Sequence, residues 1–233
     1  MTSTPKLRRE ERGRARQDWP FVACHAGENS DLKPFGNKYL PEGEKADIWH
    51  WKSIRNLNQL DDQYLDSVKL DTSSPEAQTK TIEAGRHSDA KESGGYVDNY
   101  ASKPDPADAT KTIQDKTQPG FTSPNIDVTT GAPGFILDSE KVAVDAAAIP
   151  ADAYIPGIIK SEIVGDRGDI SAAWKYANGV WTIEFGRKLT TGCETDVQFS
   201  DMTTTYYFGV AAFDNAQVRH AFQAGASMLV FEP

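Results

Sequence analysis

The stretch DISAAWKYANGVWTIEFGRKL, residues 169–189, restricts the fold more than any other part of this chain. Apolar and polar residues alternate along 169–177 and again along 180–189. That two-residue period belongs to a strand with one buried face. Between the two arms stands Asn178-Gly179, a pair that tolerates positive φ and suits the tight type I′ turn of a β-hairpin. On the outgoing arm Trp181, Ile183 and Phe185 share one face, and Val180, Thr182 and Glu184 take the other. A two-stranded ribbon is marginal in water, so its apolar face calls for a second β layer.

The rest of the chain offers that layer. Residues 46–55 read as a strand, 56–58 as a turn and 61–70 as a second short strand. Further strands are expected at 134–137, 142–149, 155–164, 196–199, 204–213 and 228–231. One or two helical turns are expected over 214–221, with Asp214 or Asn215 as N-cap. Many short strands separated by turn signals mark an all-β chain. The fold expected is an antiparallel β-sandwich with long irregular loops and one or two short helices. Residues 71–134 are rich in Ser, Thr, Asp, Lys, Pro and Gly and are expected as a polar loop region. The first 20 residues, with six basic side chains before position 17, read as a disordered basic arm. The remainder, 21–233, reads as one domain. The arm has no apolar h-region and so is no secretory signal peptide.

Charge and motifs then exclude several functions. The net charge of −9 argues against nucleic acid as the main partner, because phosphate binding needs a basic surface. It suits transient docking on a basic partner. No apolar run reaches the length of a membrane helix, so no membrane span is expected. There is no P-loop, no GxSxG, no HExxH and no dinucleotide-binding glycine fingerprint. No acid–base pair stands out among the 34 carboxylates. The chain reads as a non-enzyme. Its two cysteines, Cys24 and Cys193, leave a disulfide open.

Three stretches carry the candidate chemistry. Within 46–55, Trp49 and Trp51 fall on one strand face and His50 on the other. Two indoles side by side serve either a plain core or a wall against a planar ligand. In FVACHAG, residues 21–27, Cys24 directly precedes His25, the second half of the C-x-x-C-H attachment site for c-type haem. Phe21 stands where the first cysteine would be. In FGVAAFDNAQVRHAF, residues 208–222, a strongly apolar strand runs into a turn that presents His220.

Taken in order, CH, NKYLPEGEKADIWHWKSIR, DDQYLD, GGY, RKLTTG, DVQF and YYFGVAAFDNAQVRHA resemble one family from about residue 22 to the end of the chain. It is the haem-binding γ-subunit type found with ethylbenzene dehydrogenase and related molybdenum enzymes, together with free-standing cytochromes that share its domain. The resemblance implies a β-sandwich holding one haem, b-type or attached through a single thioether at Cys24. It implies electron transfer in the periplasm and a redox partner, with iron–sulfur and molybdenum subunits among the candidates. His25 matches the histidine of the C-x-x-C-H members. His220 falls near the place expected for the second axial ligand, so His25 and His220 form the expected iron-ligating pair. Lys38, Lys52 and Met202 are the other side chains of suitable chemistry. Cys24, Trp49, His50 and Trp51 complete the expected cofactor-binding set, with Phe208, Phe213 and Tyr206 or Tyr207 as further walls. Lys38, Arg55 and Arg219 are candidates for the haem propionates.

Two departures from the family stand out: the missing first cysteine, and a start that lacks the strands family members carry before the Cys-His stretch. On the second count the chain reads as an N-terminally incomplete copy of a longer protein. Two other functions use the same architecture. A carbohydrate-type binding module would expose Trp49 or Trp51 on a flat face. An accessory subunit that has lost haem would keep the fold alone.

Overall fold

The hairpin forms where the alternation puts it. In the computed structural model Ser171–Ala177 and Val180–Gly186 pair antiparallel, from Ser171 opposite Gly186 to Ala177 opposite Val180. Asn178 (φ 52°) and Gly179 (φ 80°) hold the two left-handed conformations of a type I′ turn. The structure describes residues 7–8, 17–22, 40, 42–68, 73–80, 86–145, 148–214, 221–223 and 225–232. They are all-β, with mainly antiparallel pairing and two short parallel pairs. Among the described residues Pro75–Lys80 is the one α-helix, and Asp138–Glu140 and Asp166–Gly168 are single 3-10 turns. No helix among them is long and apolar enough to cross a membrane.

The described chain divides into two compact units. The larger holds the central sheet. Its strands run in the order Ala221–Phe222, Tyr206–Asp214, Gln17–Val22, Ala46–Lys52, Asp61–Leu65 and Arg86–Ser88, and Ser227–Leu229 also pairs with Tyr206–Asp214. Ala46–Lys52 lies in the middle, and its register fixes both faces. Trp49 stands opposite Asp62, and His50 opposite Asp61. Residues directly opposite share a face, so the tryptophans lie with Asp47 and Asp62, and His50 lies with Lys52 and Asp61.

The hairpin covers the tryptophan face. Trp51, 1% exposed, packs with Leu60, Ile170 and Ala172. Trp49, Trp181, Ile183 and Phe185 close around that cluster. The Trp51 and Trp181 ring centroids are 4.9 Å apart, and Trp49 meets Phe185 edge-on at 5.5 Å. These geometries add to plain burial because the ring edge carries positive and the face negative charge. The inward set Trp181, Ile183 and Phe185 is the one the alternation picks out. On the opposite face a smaller cluster joins Leu40, Ala46, Ile48 and Leu65.

The smaller unit centres on Ile136, Ile155 and Ile159, flanked by Phe121, Ile126, Val144 and Ile149. It contains much of the stretch expected as loop. Strands Ser93–Asp98, Ala101–Asp105, Asp108–Asp115 and Phe121–Thr122 all fall within 71–134. The reason is local polar satisfaction rather than an apolar face. Asn99 is fully buried and uses its whole amide. It donates to Phe121 O (2.8 Å) and Pro156 O (2.9 Å), and accepts from the Gly120 (3.2 Å) and Phe121 (2.9 Å) amides. Gly120 permits this approach, since a Cβ there would meet Tyr100 O at 2.6 Å. Asp108, Asp115 and Asp127 each fold back on the backbone amide two residues later, which sets tight turns without a core.

Other expectations also differ from the structure. Residues 17–20, placed in the basic arm, begin the strand Gln17–Val22. Residues 196–199 form no strand. There Gln198 accepts from the Thr191 amide (2.9 Å) and donates to Cys193 O (3.0 Å), so side chains take the bonds a ladder would make. The helix expected over 214–221 falls mostly outside the described residues, and Ala221 is in a strand.

Trp51→Ala removes the largest buried ring at the layer interface. Urea denaturation should show a loss of about 3–5 kcal/mol. A loss under about 1 kcal/mol would place the layer interface elsewhere.

Candidate functional site

Arg187 follows the hairpin directly and turns back into the larger unit with a side chain only 1% exposed. Its guanidinium donates to Asp47 Oδ2 (2.7 Å), to Asp62 Oδ2 (3.3 Å) and, through Nη2, to Val197 O (2.7 Å). Asp196 Oδ2 lies 3.4 Å away. The guanidinium also stacks 4.6 Å over the Trp49 ring, an attraction between cation and aromatic face that strengthens when water is excluded. Asp47 and Asp62 reach this point because cross-strand register puts them on the tryptophan face. Asp196 comes from the loop after the hairpin, held by Thr191 Oγ1 at 2.5 Å. Asp89 stands one residue past Arg86–Ser88 and accepts from Thr195 Oγ1 at 2.9 Å.

One guanidinium therefore faces three carboxyls within 3.4 Å, with a fourth close by. They cannot all ionise in a buried site. Asp62 is pushed up to about 10, first by burial, then by the charges of Asp47, Asp196 and Asp89, while Arg187 pulls the other way. Asp89 is raised to about 6, again chiefly by burial. Asp47 and Asp169 are raised for the same leading reason. A hydrogen bond with Asp62 lowers Asp169 in part, consistent with a neutral Asp62 carboxyl acting as donor.

The His50 face carries a second polar network. His50 is buried, and its Nδ1 lies 3.1 Å from Arg86 Nη1 and 3.2 Å from Gln63 Oε1. Arg86 can only donate and Gln63 Oε1 can only accept, so the two neighbours ask opposite roles of Nδ1. Lys52 pairs with Asp61, which Arg167 and Gln63 also approach, each at 3.1 Å from Oδ2.

The expected site residues are thus divided. Trp49 and Trp51 share one face, and Trp51 is filled on its open side by Trp174 and Trp181. Among the described residues this packing matches the core role of the two weighed from sequence. His50 sits on the opposite face inside its own network. Cys24, His25, Lys38, Arg219 and His220 lie outside the described residues. Met202 is exposed on a turn. Arg55, expected near a propionate, stacks at 4.7 Å on Tyr96 in the smaller unit. An open hollow of about 390 Å³ in that unit, between Tyr100, Gln118, Phe121 and Val144, is lined by none of the expected cofactor residues.

Arg187 and its carboxyls were not singled out from sequence, though a signal was present. Asp47, Arg187 and Asp196 lie in GEKADIWHWKS, RKLTTG and DVQF, the segments that carry the family resemblance most strongly.

Fold and site together define an all-β protein whose main layers are joined by a buried, charge-rich hub. The sequence matches the family described as ethylbenzene dehydrogenase over residues 13–225. The chain belongs to that family. No curated protein matches it, and no solved structure matches it.

Asp62 gives a pH signature. Its folded value lies far above the ordinary 3.8, so between pH 3.8 and about 10 the folded chain keeps a proton that the unfolded chain has released. Its contribution to stability falls as pH rises through that window. Asp62→Asn is neutral at every pH. Its urea midpoint should gain on wild type steadily from pH 4 upward. A gap that stays constant with pH would mean Asp62 is ionised in the fold.

Proposed function

We propose that this chain is a haem-binding electron-transfer subunit that works beside a molybdenum oxidoreductase in the periplasm. Membership of the ethylbenzene dehydrogenase family over residues 13–225 carries this reading. Sheet register supports it. Val22, three residues before His25, pairs with Gly209. Ala221, which follows His220, pairs with Ala212 on the other side of the same strand. The strands next to the two histidines in sequence therefore flank one strand, although nearly the whole chain separates them.

In this reading His25 and His220 hold the iron, and Cys24 offers a single thioether because Phe21 occupies the other position. Two imidazoles would leave the iron six-coordinate, which favours electron transfer over small-molecule chemistry. The tryptophan face serves as core, not as cofactor wall.

Absorbance tests the proposal directly. Chain produced with ample haem should show a Soret band that sharpens and shifts with dithionite. His25→Ala and His220→Ala should each change that spectrum, and His50→Ala should leave its ligand-sensitive features in place. A pyridine haemochrome spectrum reports whether a thioether forms at Cys24. A colourless, folded chain would overturn the assignment.

One observation favours a second reading. Trp174 and Tyr176 are 39% and 55% exposed at the hairpin tip, and Trp181 lies 4.8 Å from the Tyr176 ring. Such a strip suits stacking on sugar rings, as in a carbohydrate-binding module. Retention of a colourless chain on a polysaccharide matrix, lost in Tyr176→Ala, would favour it.

A further inference from the structure

A second group of donors shares Asp196 with the Arg187 hub. Asp89, Cys193 and Asp196 each offer an atom, and the three atoms lie within 4.8 Å of one another. Thr195 Oγ1 sits 3.0 Å from Cys193 Sγ and 2.9 Å from Asp89 Oδ1. Each carboxyl uses one oxygen on the protein and leaves the other unused. Asp89 gives Oδ1 to Thr195, and Asp196 turns Oδ2 toward Arg187 and Thr191. Asp89 Oδ2 and Asp196 Oδ1 are buried without a hydrogen-bond partner among the described residues. Asp89 is 6% exposed, and the Asp196 side chain 2%.

Unused carboxylate oxygens at that depth are costly, since a buried acceptor without a donor keeps the full loss of its hydration. They belong to two carboxyls that approach each other beside a thiol. A cation placed among them would satisfy both at once. Hard ions such as calcium and magnesium take oxygen ligands alone, whereas a thiolate with carboxylates suits borderline-soft zinc.

The geometry points to a zinc site formed by Asp89, Cys193 and Asp196, with water as the fourth ligand. Tetrahedral zinc sets neighbouring donors about 3.4–3.6 Å apart, from Zn–O near 2.1 Å and Zn–S near 2.3 Å. The three donors need only small side-chain adjustments to reach that spacing. Two carboxylates and a thiolate outweigh Zn²⁺ by one, and Arg187, 3.4 Å from Asp196 and shared with Asp47, offsets part of that charge. On binding, the Cys193 S–H bond breaks, its proton passes to water and a Zn–S bond forms. Cys193 is half-buried, which leaves a way in for the ion. The site stands independently of the haem reading.

Cobalt(II) serves as the probe, because a cobalt–thiolate bond gives a near-ultraviolet charge-transfer band. The full chain, stripped of metal, should develop that band on cobalt addition and lose it to stoichiometric zinc. The band should persist in Cys24→Ser, which removes the only other thiol, and vanish in Cys193→Ser. In Asp89→Asn, which can keep the Thr195 contact, zinc affinity should fall roughly tenfold or more. Circular dichroism and urea midpoints of the metal-free variants establish that each is folded. A folded wild type with no band would overturn the site. A band that survives Cys193→Ser, or a folded Asp89→Asn with unchanged zinc affinity, would equally overturn it.

Discussion

The larger unit depends on one buried guanidinium. Arg187 ties two adjacent strands of the central sheet, through Asp47 and Asp62, to the end of the hairpin and to the loop carrying Asp196 and Val197. Taking an arginine out of water costs several kcal/mol unless its donors are met, and breaking such a pair leaves an uncompensated charge. Its larger effect is on register. A one-residue slip of Ala46–Lys52 would carry Asp47 and both tryptophans to the other face together. The same interaction thus holds the polar hub and the aromatic core in step. Trp49 belongs to both, with Arg187 over its ring and Phe185 at its edge.

This arrangement explains an apparent excess of acid. A hub of three carboxyls and one cation would be a liability if every carboxyl ionised. The raised value of Asp62, pushed up first by burial and then by its neighbouring carboxyls, lightens that liability. Asp47, Asp89 and Asp196 each still keep one buried oxygen with no hydrogen-bond partner among the described residues, so the cluster is only partly satisfied by Arg187.

What the sequence made legible follows the same division. The hairpin, its turn and its inward residues were readable because strict alternation and Asn178-Gly179 are local signals. The opposition of Trp49 and Trp51 to His50 was readable for the same reason. The strands between 86 and 122 were not, since Asn99 and the aspartate turns organise them through hydrogen bonds that leave no apolar period. The Arg187 hub was hidden because Arg187 stands 140 positions from Asp47 and 125 from Asp62, and a charged residue in a polar stretch normally signals a wet surface. Only the clustering of Asp47, Arg187 and Asp196 in the family-like segments pointed to it. The core-or-wall choice for the tryptophans turned on what lies opposite them, which no single strand contains.

That choice has a consequence for how a cofactor and this fold relate. Two β layers pack with about 10 Å between them, a gap that side chains normally fill. Here Trp51, Trp174 and Trp181 fill it, with centroids 4.9 to 5.9 Å apart. A flat ligand inserted at that point would have to displace the hairpin and give up the burial that stabilises the unit.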